Sequence, residues 1–170
     1  MHDPLPLTAS AEARRTHHAD VARSLASLLD GEDDWVAAMA TVASELHQAF
    51  GYFDWTGFYR AVGDRLLVIG PYQGGHGCLR IPFDRGVCGA AARTRTTQLV
   101  PDVQAFPGHI ACASSTRSEI VVPIIGPGGR LLGVLDVDSD SPAAFGAADA
   151  EGLEAIARDL GARYESSESK

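Results

Sequence analysis

Three cysteines are the residues of this sequence with the widest choice of chemistry. Cys88 lies in the run 85–89, at the expected start of a short helix, where the positive end of the helix dipole lowers the pKa of a thiol. On this local argument Cys88 is the most acidic thiol, although it is also the one most easily explained as a small buried apolar residue. Cys78 follows a glycine-rich stretch and Cys112 lies in a loop, so we expect both to be mobile and accessible. The local sequence leaves redox chemistry, metal binding and simple packing open.

Two carboxylates stand at the end of the largely apolar run 131–138, which is typical of the end of a strand. Because side chains alternate between the two faces of a strand, Asp136 and Asp138 should share the face that Leu132 and Val134 occupy earlier. Like charge and partial burial would then raise the pKa of at least one of them. The alternative is a strand that simply runs out into a solvated loop.

An aromatic pair stands on the first predicted strand. Trp55 and Tyr59 are four residues apart with Gly57 between them, so all three should face the same way. Such a pair with a gap can form the wall of a small apolar or cationic ligand site. Core packing against a helix is the alternative interpretation.

A metal site is a further possibility, because His76, Cys78, His109 and Cys112 could together supply two nitrogen and two sulfur ligands. The His-x-Cys spacing is not a common zinc pattern, and the sequence contains no Cys-x-x-Cys. We therefore predict no metal site. The sequence also lacks a phosphate-binding Gly-Lys-Ser/Thr, a Gly-x-Ser-x-Gly and a His-Glu-x-x-His motif.

Composition narrows the class of protein that could carry this chemistry. The 170 residues include 14 Lys and Arg against 22 Asp and Glu, a net charge of −8, and 45% are hydrophobic. We expect one globular domain over residues 1–170, with residues 1–10 and 165–170 frayed. The acidic balance argues against a nucleic-acid partner. The absence of a secretory signal pattern and of a long apolar run predicts a cytoplasmic protein with no membrane partner.

The periodicity of apolar residues predicts the elements that position these groups. Helical patterns cover 11–29, 34–50, 86–93 and 147–164, and strand patterns cover 53–61, 66–71, 78–81, 97–100, 119–125 and 130–137. Compact connectors at 63–64 and 126–129 predict two antiparallel hairpins. The expected fold class is α+β, a mostly antiparallel sheet flanked by two N-terminal helices and one C-terminal helix.

Taken together, these residues resemble the free methionine-(R)-sulfoxide reductases, which use a GAF-type fold as an enzyme. The resemblance covers about residues 34 to 165 and includes the three-cysteine pattern, which distinguishes this family from GAF sensor domains. The matching stretches are 55–59, 70–74, 78–89, 98–103, 106–112, 118–123 and 133–139.

The resemblance implies a role for each cysteine. Cys112 matches the nucleophile that attacks the sulfoxide sulfur and becomes a sulfenic acid, Cys78 the resolving cysteine, and Cys88 an auxiliary or alternative resolving cysteine. It thereby favours Cys112 over Cys88 as the reactive thiol, since access to the substrate counts for more than a low pKa. A Cys78–Cys112 disulfide would need Cα atoms about 4.4–6.8 Å apart, with the neighbouring glycines giving mobility. One departure from the family pattern is Ala113, where an Asp or Asn is usual.

The resemblance also implies the substrate site. Trp55 and Tyr59 match the aromatic walls around the substrate methyl group, and Glu119, Asp136 and Asp138 match the pocket carboxylates. A carboxyl group with a raised pKa could protonate the sulfoxide oxygen, and the remaining negative charge could hold the substrate ammonium. The implied reaction is reduction of free L-methionine-(R)-S-oxide to L-methionine.

The implied partners are the free sulfoxide and thioredoxin or a similar dithiol donor, with no bound cofactor. The family also implies a homodimer packed through the N-terminal helices. The competing hypothesis is a non-catalytic GAF-type module that binds a small ligand or senses redox state.

Overall fold

An antiparallel sheet of six strands runs through the computed structural model, which describes residues 3–110 and 112–164. The tail 165–170, expected to be frayed, lies outside the described residues. The strands are β1 Trp55–Val62, β2 Leu66–Gln73, β3 Arg80–Pro82, β4 Gln98–Val100, β5 Ser118–Ile125 and β6 Leu131–Ser139. The helices are α1 Ala11–Leu28, α2 Trp35–Ala49, α3 Gly86–Thr94 and α4 Ala147–Tyr164, and a 3₁₀ turn spans Val103–Ala105.

The order of the strands across the sheet is β3-β2-β1-β6-β5-β4, and every neighbouring pair is antiparallel. Both predicted hairpins, β1–β2 and β5–β6, are confirmed. Gly63 and Gly129 in their connectors have φ of 59° and 80°, a conformation that glycine adopts without strain. β3 begins two residues later than predicted, so Cys78 lies in the loop before the strand.

Helices α1, α2 and α4 cover one face of the sheet, and α3 with the loops around it covers the other. The main core between α1, α2, α4 and the sheet includes Phe58, Ile120 and Leu135. The opposite face carries Tyr59, Val121 and Val134, which pack with α3. The α+β prediction is therefore confirmed.

A bulge changes the pattern of β6 near its start. Ile124 pairs with Gly133 but Ile125 pairs with Leu131, so Leu132 has no partner on β5. One extra residue reverses which face the preceding side chains occupy. Leu132 packs in the main core while Val134 packs on the α3 side, so the expectation that both share the face of Asp136 is wrong for Leu132.

The segment 3–10 before α1 is tied to the fold, contrary to the fraying expected there, while residues 1 and 2 lie outside the described residues. Leu5 forms a parallel bridge with Phe50, and its backbone N–H donates to the Ala49 carbonyl at 2.8 Å. Ser10 caps α1 by accepting from the Ala13 N–H. Within the described residues, no helix combines the length and the apolar character that crossing a membrane requires.

A buried polar network joins α1 to α4. The Asp149 carboxylate accepts from Arg14 at 2.5 Å and from the Tyr52 hydroxyl at 2.6 Å, and His18 Nε2 lies 3.1 Å from it. Gly152 leaves the space for His18, because a Cβ there would lie 2.3 Å from the imidazole. These bonds hold the pKa of Asp149 below its usual range, although burial opposes them.

Candidate active site

Three neighbouring strands bring the predicted carboxylates and aromatic residues onto one face of the sheet. Asp138 on β6 lies opposite Trp55 on one side and Glu119 on the other. Two residues earlier, Asp136 lies opposite Gly57. Since alternate residues of a strand share a face, the carboxyl groups and the indole ring emerge together on the α3 side of the sheet.

The aromatic wall depends on glycine at position 57. A Cβ there would lie 2.4 Å from Tyr72 Cβ and 2.6 Å from the Trp55 ring, closer than real atoms approach. The Trp55 ring stacks on Tyr59 with centroids 6.0 Å apart, and its Nε1–H donates to the Gly75 carbonyl at 2.9 Å. The alternation that predicted one shared face for Trp55, Gly57 and Tyr59 is therefore confirmed.

A disulfide joins Cys78 to Cys112, with Cα atoms 5.3 Å apart. It links the loop before β3 to the loop before β5, two segments that are 34 residues apart in sequence. Gly77, next to Cys78, also allows a close contact, because a Cβ at this position would lie 3.0 Å from the Tyr59 hydroxyl. The loop that carries Cys78 is thus packed against the aromatic wall.

A cavity of about 30 Å³ lies between the disulfide and the sheet. This volume holds about one water molecule, whereas pockets that bind small ligands are roughly 300 Å³ or larger. Cys78 is bonded to a lining residue and is not itself part of the lining. The other predicted site residues line it: Trp55, Tyr59, Cys88, Cys112, Glu119, Asp136 and Asp138.

The three carboxyl groups are held in an environment that favours their protonated forms. Burial is the largest cause, and it raises the pKa of Glu119 and of Asp138 well above their usual range and that of Asp136 to about 7. The neighbouring carboxyl groups of Glu119 and Asp136 also act on each other, which raises the pKa of Glu119 and lowers that of Asp136. Thr116 hydrogen-bonds Asp138 and favours its charged form. At neutral pH the cluster therefore retains protons that exposed carboxyl groups would have lost.

Cys88 is buried, with 3% of its surface exposed, and its thiol donates to Asp136 Oδ2 at 3.2 Å. Burial raises the pKa of Cys88 well above its usual range, and the charges of Asp136 and Glu119 raise it further. The expectation that the start of α3 lowers the pKa of Cys88 is wrong, because desolvation and two carboxylates outweigh a partial dipole charge. Cys88 is a protonated, buried thiol.

Two contributors to the site have no role in the sequence-based hypothesis. Thr116 is buried beside Asp138, and nothing in the local sequence distinguishes it from the other hydroxyl residues of its loop. Gly86 begins α3 with φ of 69°, and a Cβ there would lie 3.3 Å from the Ile110 side chain. The loop before Cys112 thus packs directly on the start of α3. His109, considered only as a metal ligand, lines the cavity with a buried Nδ1.

The chain is similar to known proteins over most of its length. The family model described as GAF domain matches residues 34–164. The chain is 43% identical over 141 residues to the free methionine-R-sulfoxide reductase of Saccharomyces cerevisiae, covering 79% of this chain and 78% of that protein. It is 38% identical over 143 residues to the Escherichia coli protein of the same name, covering 84% and 86% respectively.

A solved structure extends the similarity to the whole fold. The X-ray structure of free methionine-R-sulfoxide reductase from Neisseria meningitidis, in complex with its substrate, superposes with a TM-score of 0.85 at 44% identity. The match covers 97% of this chain and 96% of that one.

Proposed function

The chain belongs to the GAF domain family and to the free methionine-R-sulfoxide reductases, and we propose that it reduces free L-methionine-(R)-S-oxide to L-methionine. One observation carries the proposal: the Cys78–Cys112 disulfide, a buried carboxyl cluster and an aromatic wall lie around the same cavity. A thiol pair supplies the two electrons, and the carboxyl groups supply the proton that a sulfoxide needs before it accepts a nucleophile.

Cys112 is the nucleophile in this proposal. Its thiolate attacks the sulfoxide sulfur, the oxygen takes a proton, and the oxygen is transferred to Cys112 as a sulfenic acid while methionine leaves. The Cys78 thiol then attacks the sulfenic sulfur, releases water and forms the disulfide. Cys88 lines the same cavity and serves as the auxiliary or alternative resolving thiol.

The carboxyl cluster has two tasks. Glu119, Asp136 and Asp138 hold the substrate ammonium, and one of their retained protons goes to the sulfoxide oxygen. Trp55 and Tyr59 enclose the methyl end of the substrate. A peptide-bound methionine sulfoxide lacks the α-ammonium, so the buried carboxyl groups would stay uncompensated, which is energetically costly.

The disulfide form represents the end of a catalytic cycle. Its cavity of about 30 Å³ is too small for an amino acid, so reduction of Cys78–Cys112 must open the site before the next substrate binds. We propose thioredoxin or a similar dithiol protein as the reductant, with no bound cofactor, and the cytoplasm as the compartment that supplies it.

We also propose a homodimer that packs through the N-terminal helices. Leu28 on α1 and Val36 on α2 are both more than half exposed and are therefore available to such an interface. Sedimentation of the wild type against a Leu28→Glu variant tests the interface. A wild type that sediments as a monomer contradicts the dimer.

A single-turnover experiment tests the proposed chemistry. Reduced protein mixed with one equivalent of free L-methionine-(R)-S-oxide should yield one methionine, and mass spectrometry should find the Cys78–Cys112 disulfide. Cys78→Ser should accumulate Cys112 sulfenic acid or a Cys88–Cys112 disulfide, and Cys112→Ser should form no methionine. Ser115→Ala, in the exposed part of the same loop, is the matched control. Methionine formation by Cys112→Ser at the wild-type rate would overturn the proposal.

A further inference from the structure

A free thiol and two carboxyl groups converge at the floor of the cavity. One ligand atom from each of Cys88, Glu119 and Asp136 lies within 4.8 Å of the other two, and all three residues are buried. Cys88 contributes from the first turn of α3, and the carboxyl groups contribute from β5 and β6. The convergence therefore depends on the packing of α3 against the sheet.

Asp136 provides a second, independent observation. Only 5% of the residue is exposed, and its Oδ1 has no hydrogen-bond partner among the residues the structure describes. Its other oxygen, Oδ2, accepts from the Cys88 thiol at 3.2 Å. Asp136 lines the cavity, and a buried carboxyl oxygen without a partner is unfavourable unless a cation or a donor reaches it.

We propose that Cys88, Glu119 and Asp136 form a binding site for a thiophilic divalent cation of the zinc class, with the fourth coordination position open to the cavity. Ligand atoms around one tetrahedral zinc ion are about 3.3–3.8 Å apart, given metal–ligand distances of about 2.0–2.3 Å. Cys88 Sγ lies 3.2 Å from Asp136 Oδ2, close to this range, and a rotation of the same carboxyl group would offer the unpartnered Oδ1 to the ion instead. The other ligand atoms lie within 4.8 Å of one another, so a shift of about one ångström in the carboxyl groups brings them to this separation.

The donor set decides which cations fit. A thiolate ligand favours zinc over magnesium or calcium, which prefer oxygen ligands. On binding, the Cys88 thiol proton and any carboxyl proton pass to solvent. Three anionic ligands around a divalent cation leave a net charge of −1. This negative charge lies beside the N-terminal end of α3, where the helix dipole stabilises it.

This site differs from the histidine and cysteine set that the sequence suggested. Cys78 and Cys112 are joined in the disulfide, so neither offers a thiolate to a metal in this form of the protein. Cys88 remains free in that form. The site can therefore be assayed in oxidised protein, where the two other cysteines do not interfere.

The proposed ion would exclude the proposed substrate, because Glu119 and Asp136 serve both. That consequence rests on the proposed function, whereas metal binding itself does not. The test is therefore a binding measurement on the oxidised protein without substrate.

Cobalt(II) titration of the oxidised full chain, followed by absorption, makes thiolate ligation visible. We expect one equivalent of Co²⁺ to produce a thiolate-to-metal charge-transfer band, and Zn²⁺ to abolish it by displacement. Cys88→Ala should lose the band, and Asp136→Asn should weaken binding by at least about tenfold. Asp140→Asn, at the exposed residue that follows β6, is the matched carboxylate control and should bind like the wild type.

The alternatives have distinct outcomes. A band that persists in Cys88→Ala, or no band in the wild type, overturns the proposal. Loss of binding in a His76→Ala/His109→Ala double variant, with binding retained in Cys88→Ala, assigns the metal to the imidazoles and also overturns it. Because Cys88→Ala could perturb the packing of α3, near-ultraviolet circular dichroism must match the wild type, and Asp136→Asn provides the isosteric second variant.

Discussion

Glu119 and Asp138 are direct partners across the β5–β6 ladder, so two carboxyl groups occupy neighbouring positions on a buried face of the sheet. Like-charged residues at such positions destabilise a sheet. The protein accepts this pair beside Asp136, and burial raises the pKa values of all three groups. The site thus gives up stability for a cluster of carboxyl groups that retains protons.

Replacement of Glu119 by Gln should separate stability from function. Gln keeps the shape and a hydrogen bond but removes the ionisable group, so we expect the melting temperature to rise by a few degrees, since about 1 kcal/mol corresponds to roughly 2–4 °C in a domain of this size. Reductase activity should fall about 10²–10⁴-fold if Glu119 supplies the proton. Calorimetry measures the melting temperature, and single-turnover kinetics measure the reductase activity. A variant that is less stable and fully active contradicts this account of Glu119.

Asp136 should make the protein less stable as the pH rises. Its folded pKa of about 7 lies above the ordinary value of 3.8, so between these limits the unfolded chain has released the proton that the folded protein retains. Its contribution to stability is therefore present below about pH 4 and is lost as the pH rises to about 7. Urea unfolding should show Asp136→Asn gaining stability relative to the wild type across this window. A difference in the free energy of unfolding between the two proteins that does not change with pH would contradict this role of Asp136.

Asp149 should show the opposite pH dependence. Its pKa is lowered in the folded protein by His18, Tyr52 and Arg14, so its contribution is present above the ordinary carboxyl pKa and is lost as the pH falls. Asp149→Asn leaves the Arg14 charge without its partner, so we expect a loss of roughly 3 kcal/mol near neutral pH that shrinks in acid. Urea unfolding at several pH values tests this, and an equal loss at all pH values would contradict it.

Gly57→Ala should disturb the aromatic wall. The added methyl would lie 2.6 Å from the Trp55 ring, so the ring must move, and overpacking of this kind costs about 1–3 kcal/mol. We expect a raised KM for the sulfoxide together with reduced stability. Gly146→Ala is the matched control, because a Cβ at that turn meets no atom within 4 Å. Unchanged kinetics in Gly57→Ala would show that Trp55 does not bind the substrate.

The periodicity of the sequence predicts most of the fold, because each helix and strand buries one face with a simple repeat. In α4 the apolar residues at helical spacing are all buried, namely Leu153, Ile156, Ala157, Leu160 and Tyr164. In α1 the last apolar residue, Leu28, follows the helical repeat but is 55% exposed. Apolar spacing alone does not reveal where a helix ends its contact with the sheet.

The environment of Cys88 could not be predicted from its neighbours in sequence. Its local position indicates a lowered pKa, yet the groups that raise it, Glu119 and Asp136, come from strands 31 and 48 residues away. Alternation places Asp136 and Asp138 on one face, but only the family resemblance identifies Glu119. The bulge that moves Leu132 to the other face has no sequence signal that we recognise.

The most direct test of the central claim is NADPH consumption through a thioredoxin system, with the R and S epimers of free methionine sulfoxide supplied separately. The account predicts turnover with the free R epimer, little with the S epimer or a peptide-bound sulfoxide, and none in Cys112→Ser. Consumption with the S epimer alone, or undiminished turnover by Cys112→Ser, would contradict it.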